Sequence, residues 1–253
     1  MAFLGIGSLP ADTNFAEKMK DLVLFLGNKL WGAGLRLGLW EDITSLPFTR
    51  GQIELLCDFC PKGVIHVGAH LGQEVPLYRK WQLQRIHLIE PQPAACSVLR
   101  RRYHRCRDVR IHECAAVSHD SGFLPMYAEV PGSPNLSASA SLLKPARHLT
   151  DYPHVQFSST PSFDVRAATL DSLDITDADF MVIDTQGSEL EVLRGGGKTL
   201  RRIRWLIVEY WQNEAYENVP CEDELVSFVT ANGFRPVLKT FDRTFGDYLF
   251  VRG

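Results

Sequence analysis

The chain has 253 residues, of which 45% are hydrophobic and 23% charged, and its formal net charge at pH 7 is −3. This is the composition of an ordinary globular protein with room for one large α/β domain or two small ones. The small negative charge argues against a dedicated nucleic-acid-binding protein, and no apolar run reaches the roughly 18 residues of a membrane span.

Residues 1–62 predict a helical N-terminal extension. Asn14 and Glu17 have the spacing of a helix N-cap pair, and apolar residues keep one helix face from Phe15 to Leu30. We expect this extension to pack on the main domain, with a lid or a membrane-surface contact as the alternatives.

The first residues and the cysteines indicate the compartment. Residues 1–10 carry no basic region of the kind that opens a secretory signal, and the six cysteines follow no regular spacing. These features predict reduced thiols and a cytoplasmic protein. Cys57 and Cys60 form a lone Cys-x-x-Cys pair, which we interpret as two residues on one face of a helix rather than as a zinc or redox motif.

From Val64 onward, apolar strands alternate with helices, which is typical of a parallel sheet covered on both faces. The predicted strands are 64–67, 86–90, 109–114, 179–184, 203–209, 234–240 and 246–252. The predicted helices are 74–81, 93–105, 188–200 and 222–231, with Ser188 and Glu191 as a capping box for the third.

The end of the chain narrows the fold class. Only about five residues separate the last two predicted strands, so these strands must form an antiparallel hairpin. The sequence therefore predicts an α/β, Rossmann-like, seven-stranded and mostly parallel sheet with a C-terminal antiparallel hairpin. The main domain is expected over residues 63–253. It is interrupted by an insertion at 117–168 that is rich in Ser, Pro and Gly, contains an edge strand over 123–130, and has the length of a functional cover.

The segment from Val64 to Glu90 predicts a site for the ribose of a nucleoside cofactor. An apolar strand runs into the glycine turn at residues 68–72, and the next strand ends on Glu90. Glycines let the backbone turn sharply beside a ligand, and a carboxylate about 20 residues further on can accept both ribose hydroxyls. The main alternative is a turn with a purely structural role.

Several segments fall in a familiar order along the chain. They are 66–73, 89–93, 115–118, 141–143, 169–173, 183–193 and 207–209. Together they resemble the FkbM family of class I S-adenosylmethionine-dependent methyltransferases, over about residues 60–252. The resemblance implies S-adenosyl-L-methionine as cofactor. It also implies transfer of its methyl group to a hydroxyl of a small molecule, polyketide, sugar or glycolipid.

The resemblance also implies which residues contact the cofactor. Small residues at 115 and 116 would leave room for the adenine, whereas His66 stands where the family usually has an acid. The full set of expected cofactor-binding residues is His66, Gly68, Ala69, His70, Gly72, Gln73, Glu90, Pro91, Ala115, Ala116 and Asp184.

An alcohol is a poor nucleophile at neutral pH, so the reaction needs alignment and a base. The candidates are Asp184, Glu189 and Glu209, all at the predicted carboxyl edge of the sheet. His148 and His154 of the insertion are less favoured candidates, because we expect them to be solvated loop residues. Asp184 has an alternative role at the start of the following helix, and Glu189 and Glu209 have structural hydrogen bonding as theirs.

Three other functions remain open. A nicotinamide-dependent reductase shares the first strand–turn–helix unit but needs Gly-x-Gly-x-x-Gly, which residues 68–73 do not supply. A catalytically silent cofactor-binding scaffold is the second. The third is methyl transfer with a divalent metal, for which the sequence shows no compact ligand cluster.

The basic run 100–107 is expected to be a solvated helix face, with a lipid-linked acceptor or the membrane surface as the alternative contact.

Overall fold

The computed structural model describes residues 46–129, 137–151, 156–158, 160–241 and 244–253. They belong to a compact unit that extends from Thr44 to Gly253. The predicted helix over residues 14–30, His154 and the turn at 242–243 lie outside the described residues.

The main sheet has seven strands, and all seven predicted strands are confirmed. They are β1 (Gly63–Val67), β2 (Arg85–Glu90), β3 (Val109–Glu113), β7 (Phe180–Ile183), β8 (Trp205–Trp211), β9 (Phe234–Lys239) and β10 (Phe245–Arg252). Their spatial order is β3-β2-β1-β7-β8-β10-β9. The pairs from β3 to β8 are parallel, and β10 is antiparallel to both of its neighbours. The predicted mostly parallel sheet with a C-terminal hairpin is therefore correct.

Three further strands lie beside this sheet. They are β4 (Ala115–Ala116), β5 (Phe123–Met126) and β6 (Phe163–Ala168), in the order β4-β6-β5. The predicted strand over 123–130 is thus shorter than expected. β6 was missed, although Phe163, Val165 and Ala167 alternate with Asp164 and Arg166 as in a half-buried strand.

The helices of the described residues are short. They are α1 (Arg50–Glu54), α2 (Val75–Lys80), α3 (Pro93–Tyr103), α4 (His148–Asp151), α5 (Glu189–Arg194), α6 (Gly197–Leu200) and α7 (Glu222–Ala231), together with a 3₁₀ helix at Leu170–Leu173. No helix in this part of the chain has the length and apolar character needed to cross a bilayer.

Two local helix predictions are wrong. The single helix expected over 188–200 is two helices, α5 and α6, because Gly195 packs so closely that an added Cβ would lie 1.9 Å from the Val117 carbonyl oxygen. The capping box is also absent, because the Ser188 hydroxyl donates to the Thr185 carbonyl and makes no cap bond.

Residues 46–62, the described end of the predicted extension, contribute to the core of this unit. Phe59 is buried and makes edge-to-face contacts with Trp81, Phe180 and Trp205. The interpretation of Cys57 and Cys60 as residues of one helix is wrong, because α1 ends at Glu54. All six cysteines are free thiols.

Candidate functional site

The glycine turn after β1 connects the carboxyl ends of three neighbouring strands. Gly68 has φ +83°, and a Cβ at this position would lie 1.7 Å from the Asp184 carbonyl oxygen. The Gly68 and Ala69 amides donate to the Ile89 carbonyl at 2.9 and 3.2 Å. Only glycine fits a left-handed backbone this close to another strand, so Gly68 fixes β1 against the ends of both β2 and β7.

Glu90 is buried at the end of β2, where it faces the glycine turn. One carboxylate oxygen accepts the His70 amide at 2.8 Å, and the other accepts the Gln92 amide at 2.9 Å. Burial raises the pKa of Glu90 to about 7, against the opposing effect of these amides. Each carboxylate oxygen keeps a second lone-pair direction, so Glu90 can still accept hydrogen bonds from a ligand.

A pocket opens at this edge of the sheet. Its lining includes seven of the eleven expected cofactor-binding residues: Gly68, His70, Glu90, Pro91, Ala115, Ala116 and Asp184. The other four, His66, Ala69, Gly72 and Gln73, are not in the lining. The pocket is partly open to solvent and has a free volume of about 40 Å³.

Residues 137–142 form a roof over the pocket, and we call them the roof segment. Ala138, Ala140 and Leu142 of this segment line the pocket. Gln92 and Ser137 hold it at one end through reciprocal amide bonds of 2.9 and 3.0 Å. Gln92 was not identified from the sequence, since nothing in the residues beside Glu90 indicates a partner 45 positions away.

Asp184 and Glu209 meet near the pocket through the side chain of Gln186. The Gln186 amide nitrogen donates to Asp184 Oδ1 at 2.8 Å and to Glu209 Oε2 at 3.2 Å. Burial raises the pKa of Asp184, and burial together with the charges of Asp184 and Glu189 raises that of Glu209 well above its ordinary value. Asp184 and Gln186 line the pocket, whereas Glu209 lies behind them.

Glu189, the third predicted catalytic residue, accepts hydrogen bonds from the backbone of the turn before α5. Its Oε1 accepts the amides of Thr185 and Gly187 at 2.9 and 3.0 Å, and it does not line the pocket. Burial raises the pKa of Glu189 to about 7. This geometry favours the structural alternative for Glu189.

His66 does not line the pocket; its side chain instead contacts two buried polar side chains, Tyr78 and Glu74. Its Nδ1 lies 2.9 Å from the hydroxyl of Tyr78 and 3.7 Å from a carboxylate oxygen of Glu74. His148, expected to be solvated, is instead buried against the rings of Phe157, Trp211 and Tyr216. That expectation was wrong.

Five carboxyl groups are thus buried or half-buried at this edge: Glu90, Asp184, Glu189, Glu209 and Asp247. Asp247 was missed from the sequence; it is opposite Glu209 in the β8–β10 register, and burial raises its pKa to about 7. None of the five forms an ion pair with a lysine or arginine of the described residues. No group of three or more His, Cys, Asp and Glu side chains in the same part of the chain is arranged to hold a metal ion. A cationic ligand beside these carboxyl groups would favour their ionised form, and an anionic ligand would oppose it.

Comparison with known proteins gives one family, one relative among curated proteins and a set of solved structures. A family model described as the methyltransferase FkbM domain matches residues 66–236. The 2-O-methyltransferase NoeI of Sinorhizobium fredii is 26% identical over 193 residues, which are 71% of this chain and 75% of that protein.

Two solved structures are similar over most of this chain. The methyltransferase FkbM from Methylobacillus flagellatus KT is 18% identical with a TM-score of 0.49, and the match covers 77% of this chain and 45% of that one. Fibrillarin from Aeropyrum pernix, solved with S-adenosyl-L-methionine, is 12% identical with a TM-score of 0.40, over 75% and 66% of the two chains. The present chain spans less than half of the solved FkbM protein.

Proposed function

Because the chain belongs to the FkbM family of class I S-adenosylmethionine-dependent methyltransferases, we propose that it is an O-methyltransferase. The methyl acceptor is a hydroxyl of a small molecule or a glycan, with sugars and glycolipids ahead of polyketides. The name of the relative NoeI, a 2-O-methyltransferase, supports oxygen as the acceptor atom.

The carboxyl edge of the sheet suits the methyl donor. S-adenosylmethionine supplies an electrophilic methyl group on a cationic sulfur, and the proposed site lies among five carboxyl groups without a basic ion-pair partner in the described part of the chain. This cluster of buried carboxyl groups, whose ionised form a cationic ligand would stabilise, is the observation that carries the proposal. A phosphate-bearing cofactor such as NADPH would gain no such stabilisation from these carboxyl groups.

Within this site, each lining residue has a chemical role. Glu90 has acceptor positions for the ribose hydroxyls, and Gly68 with the His70 backbone leaves room for close approach. Ala115 and Ala116 are buried small residues that offer a flat apolar surface for the adenine ring. For His66, Ala69, Gly72 and Gln73 we propose an indirect role, through the shape of the turn.

Asp184 is the proposed catalytic base, because it combines a place in the pocket lining with a carboxylate oxygen that remains available beside its Gln186 bond. Asp184 aligns the acceptor hydroxyl and takes its proton as the oxygen–methyl bond forms and the sulfur–methyl bond breaks. Alignment of this kind contributes about 7 kcal/mol or more in favourable cases. A raised pKa brings a carboxylate closer to the range in which a base works best.

Donor binding requires the roof segment to move. The free volume of about 40 Å³ is far below the roughly 300 Å³ of a typical small-molecule site. Small residues at positions 138 and 140 let the roof segment lie this close to the floor. Opening of the roof segment therefore precedes entry of the donor.

The test is methyl transfer from S-adenosyl-[methyl-³H]methionine to a panel of sugars and glycolipids, each paired with its deoxy analogue. We expect label in hydroxylated acceptors only, and a loss on the order of 100-fold or more in D184N. Transfer to nitrogen-containing acceptors alone, or full activity of D184N, would contradict the proposal. Calorimetry of the unmodified protein with S-adenosylmethionine and with NADPH separates this activity from a reductase.

A further inference from the structure

Gln186 has an unusual position in the candidate site. It is a non-glycine residue with φ +56°, in the left-handed region that most side chains avoid. Backbone strain of this kind persists where surrounding contacts hold it, and it concentrates at functional sites. Here Gly187 follows with φ +105°, so two consecutive left-handed residues place the Gln186 side chain between β7 and β8.

The orientation of the Gln186 amide is fixed by its neighbours. The Tyr216 hydroxyl donates to Gln186 Oε1 at 3.1 Å, which leaves the Gln186 nitrogen directed at Asp184 and Glu209. An amide group offers two N–H donors, so it can donate to both carboxylates at once. The Ser141 hydroxyl donates to the Gln186 carbonyl at 2.7 Å and joins this turn to the roof segment.

We propose that Gln186 is a positioning residue that links Asp184 and Glu209 into one proton-sharing pair, which gives up a proton when a cationic ligand occupies the pocket. This inference rests on the proposed function, because the cation is the sulfonium of the donor. The product S-adenosylhomocysteine has a neutral sulfur, so the pair keeps the proton that Asp184 takes from the acceptor hydroxyl.

The other charged groups around Asp184 and Glu209 either oppose or favour ionisation of these two side chains. Glu74 before α2, Glu189 on α5 and Asp247 on β10 oppose ionisation of the pair, and His66 on β1 favours it. Glu90 on β2 adds to the negative charge, since its own pKa is raised in part by Asp184. Two N–H bonds from Gln186 stabilise the ionised form, and their loss makes the pair harder to ionise.

The experiment is calorimetric titration of the whole chain with S-adenosylmethionine and with S-adenosylhomocysteine, each in two buffers of different ionisation enthalpy between pH 5.5 and 8.5. For each ligand, the difference between the heats measured in the two buffers gives the number of protons released. We expect the unmodified protein to release on the order of 0.5 proton more with the donor than with the product near pH 7. In Q186A, the pH of half-maximal release moves upward by about one unit.

Two variants control this measurement. Gln82 is an exposed glutamine with φ +64°, far from the acids in the fold, so Q82A tests the cost of substituting a left-handed glutamine and should leave proton release unchanged. Q186N keeps an amide that tolerates the left-handed backbone, but it is too short to reach both carboxylates and should behave like Q186A. Q186N also serves if Q186A does not fold.

The outcomes are distinct. Equal proton release for the two ligands in the unmodified protein, or release in Q186A and Q186N with an unchanged pH profile, would overturn the role of Gln186 while leaving the proposed function intact. If neither ligand binds the unmodified protein, the proposed function is contradicted, and this inference with it.

Discussion

The carboxyl edge of the main sheet and the histidine cluster on β2 and β3 both contain buried titratable groups, but the groups around them differ. The cluster consists of His87, His112 and Asp177. His87 Nδ1 lies 3.1 Å from His112 Nε2, and its Nε2 lies 2.7 Å from Asp177 Oδ1. Burial lowers the pKa of His87 and brings that of His112 to about 4.

The difference lies in the partners that each region supplies. Asp177 and Arg85 complete the histidine cluster, and Asp177 offsets part of the burial effect on His87. The carboxyl edge instead gathers like charges with no basic ion-pair partner in the described part of the chain. A buried cluster with its own counter-charge serves the fold, whereas one that lacks a counter-charge is suited to a charged ligand.

The largest expected effect comes from breaking the contact that assembles the carboxyl edge. In G68A the new Cβ meets the Asp184 carbonyl oxygen at 1.7 Å with φ +83°, so we expect a loss of more than about 3 kcal/mol in unfolding free energy, or no folding. G122A is the control, because Gly122 has φ +77° with nothing within 4 Å. Chemical denaturation that gives both variants the same stability would contradict the close approach.

A second prediction removes the acid that is proposed to bind ribose. E90A should weaken S-adenosylmethionine binding roughly 100-fold, because two charge-assisted acceptors are lost. E113A is the matched control: Glu113 ends β3 opposite Glu90 and pairs with Arg100 at the surface. If E90A binds the donor as tightly as E113A does, the ribose lies elsewhere.

The third prediction uses pH to separate the two regions. The folded-state pKa of His112 is below its unfolded value, so its stabilisation is present above about pH 6.5 and declines as the pH falls toward 4. The folded-state pKa of Glu90 is raised to about 7, so its contribution is present below about pH 4.5 and is lost as the pH rises through 7.

The two pH windows overlap between about 4.5 and 6.5, so the effects of His112 and Glu90 on stability offset each other there. Thermal unfolding between pH 4 and 8 should show that H112Q loses stability as the pH rises from about 4.5 to 7, because the effect of Glu90 is then unopposed. E90Q should lose about 2 kcal/mol as the pH falls from about 6.5 to 4, because the effect of His112 is then unopposed. Parallel profiles for H112Q and the unmodified protein below pH 6 would show that the histidine cluster is not buried as described.

The smallest expected effect is removal of the counter-charge from the histidine cluster. D177N keeps an oxygen that can accept from His87 but loses the charge, so we expect a loss of about 1 kcal/mol at pH 7, reduced by the exposure of Asp177. D164N, at an exposed position on β6, should be neutral. A stability loss in D164N equal to that in D177N would remove the proposed distinction between the regions.

Most of the sheet was predictable because buried parallel strands are nearly continuous apolar runs, as in β1 and β8. The hairpin followed from the short connection before β10. The split of the helix at Gly195 was not predictable, because its cause is the Val117 backbone, which is distant in sequence. His148 was misjudged for the same reason, since the rings that bury it come from other segments.

The sequence by itself determined the order of strands and helices, the glycine turn, and the place of Glu90 at the end of β2, because strand period and loop length are local properties. Only the tertiary structure decided that Asp247 faces Glu209, that Gln186 connects Glu209 to Asp184, and that His66 turns away toward Tyr78. Burial and the distance between charges set these relations, and both depend on which distant segments pack together.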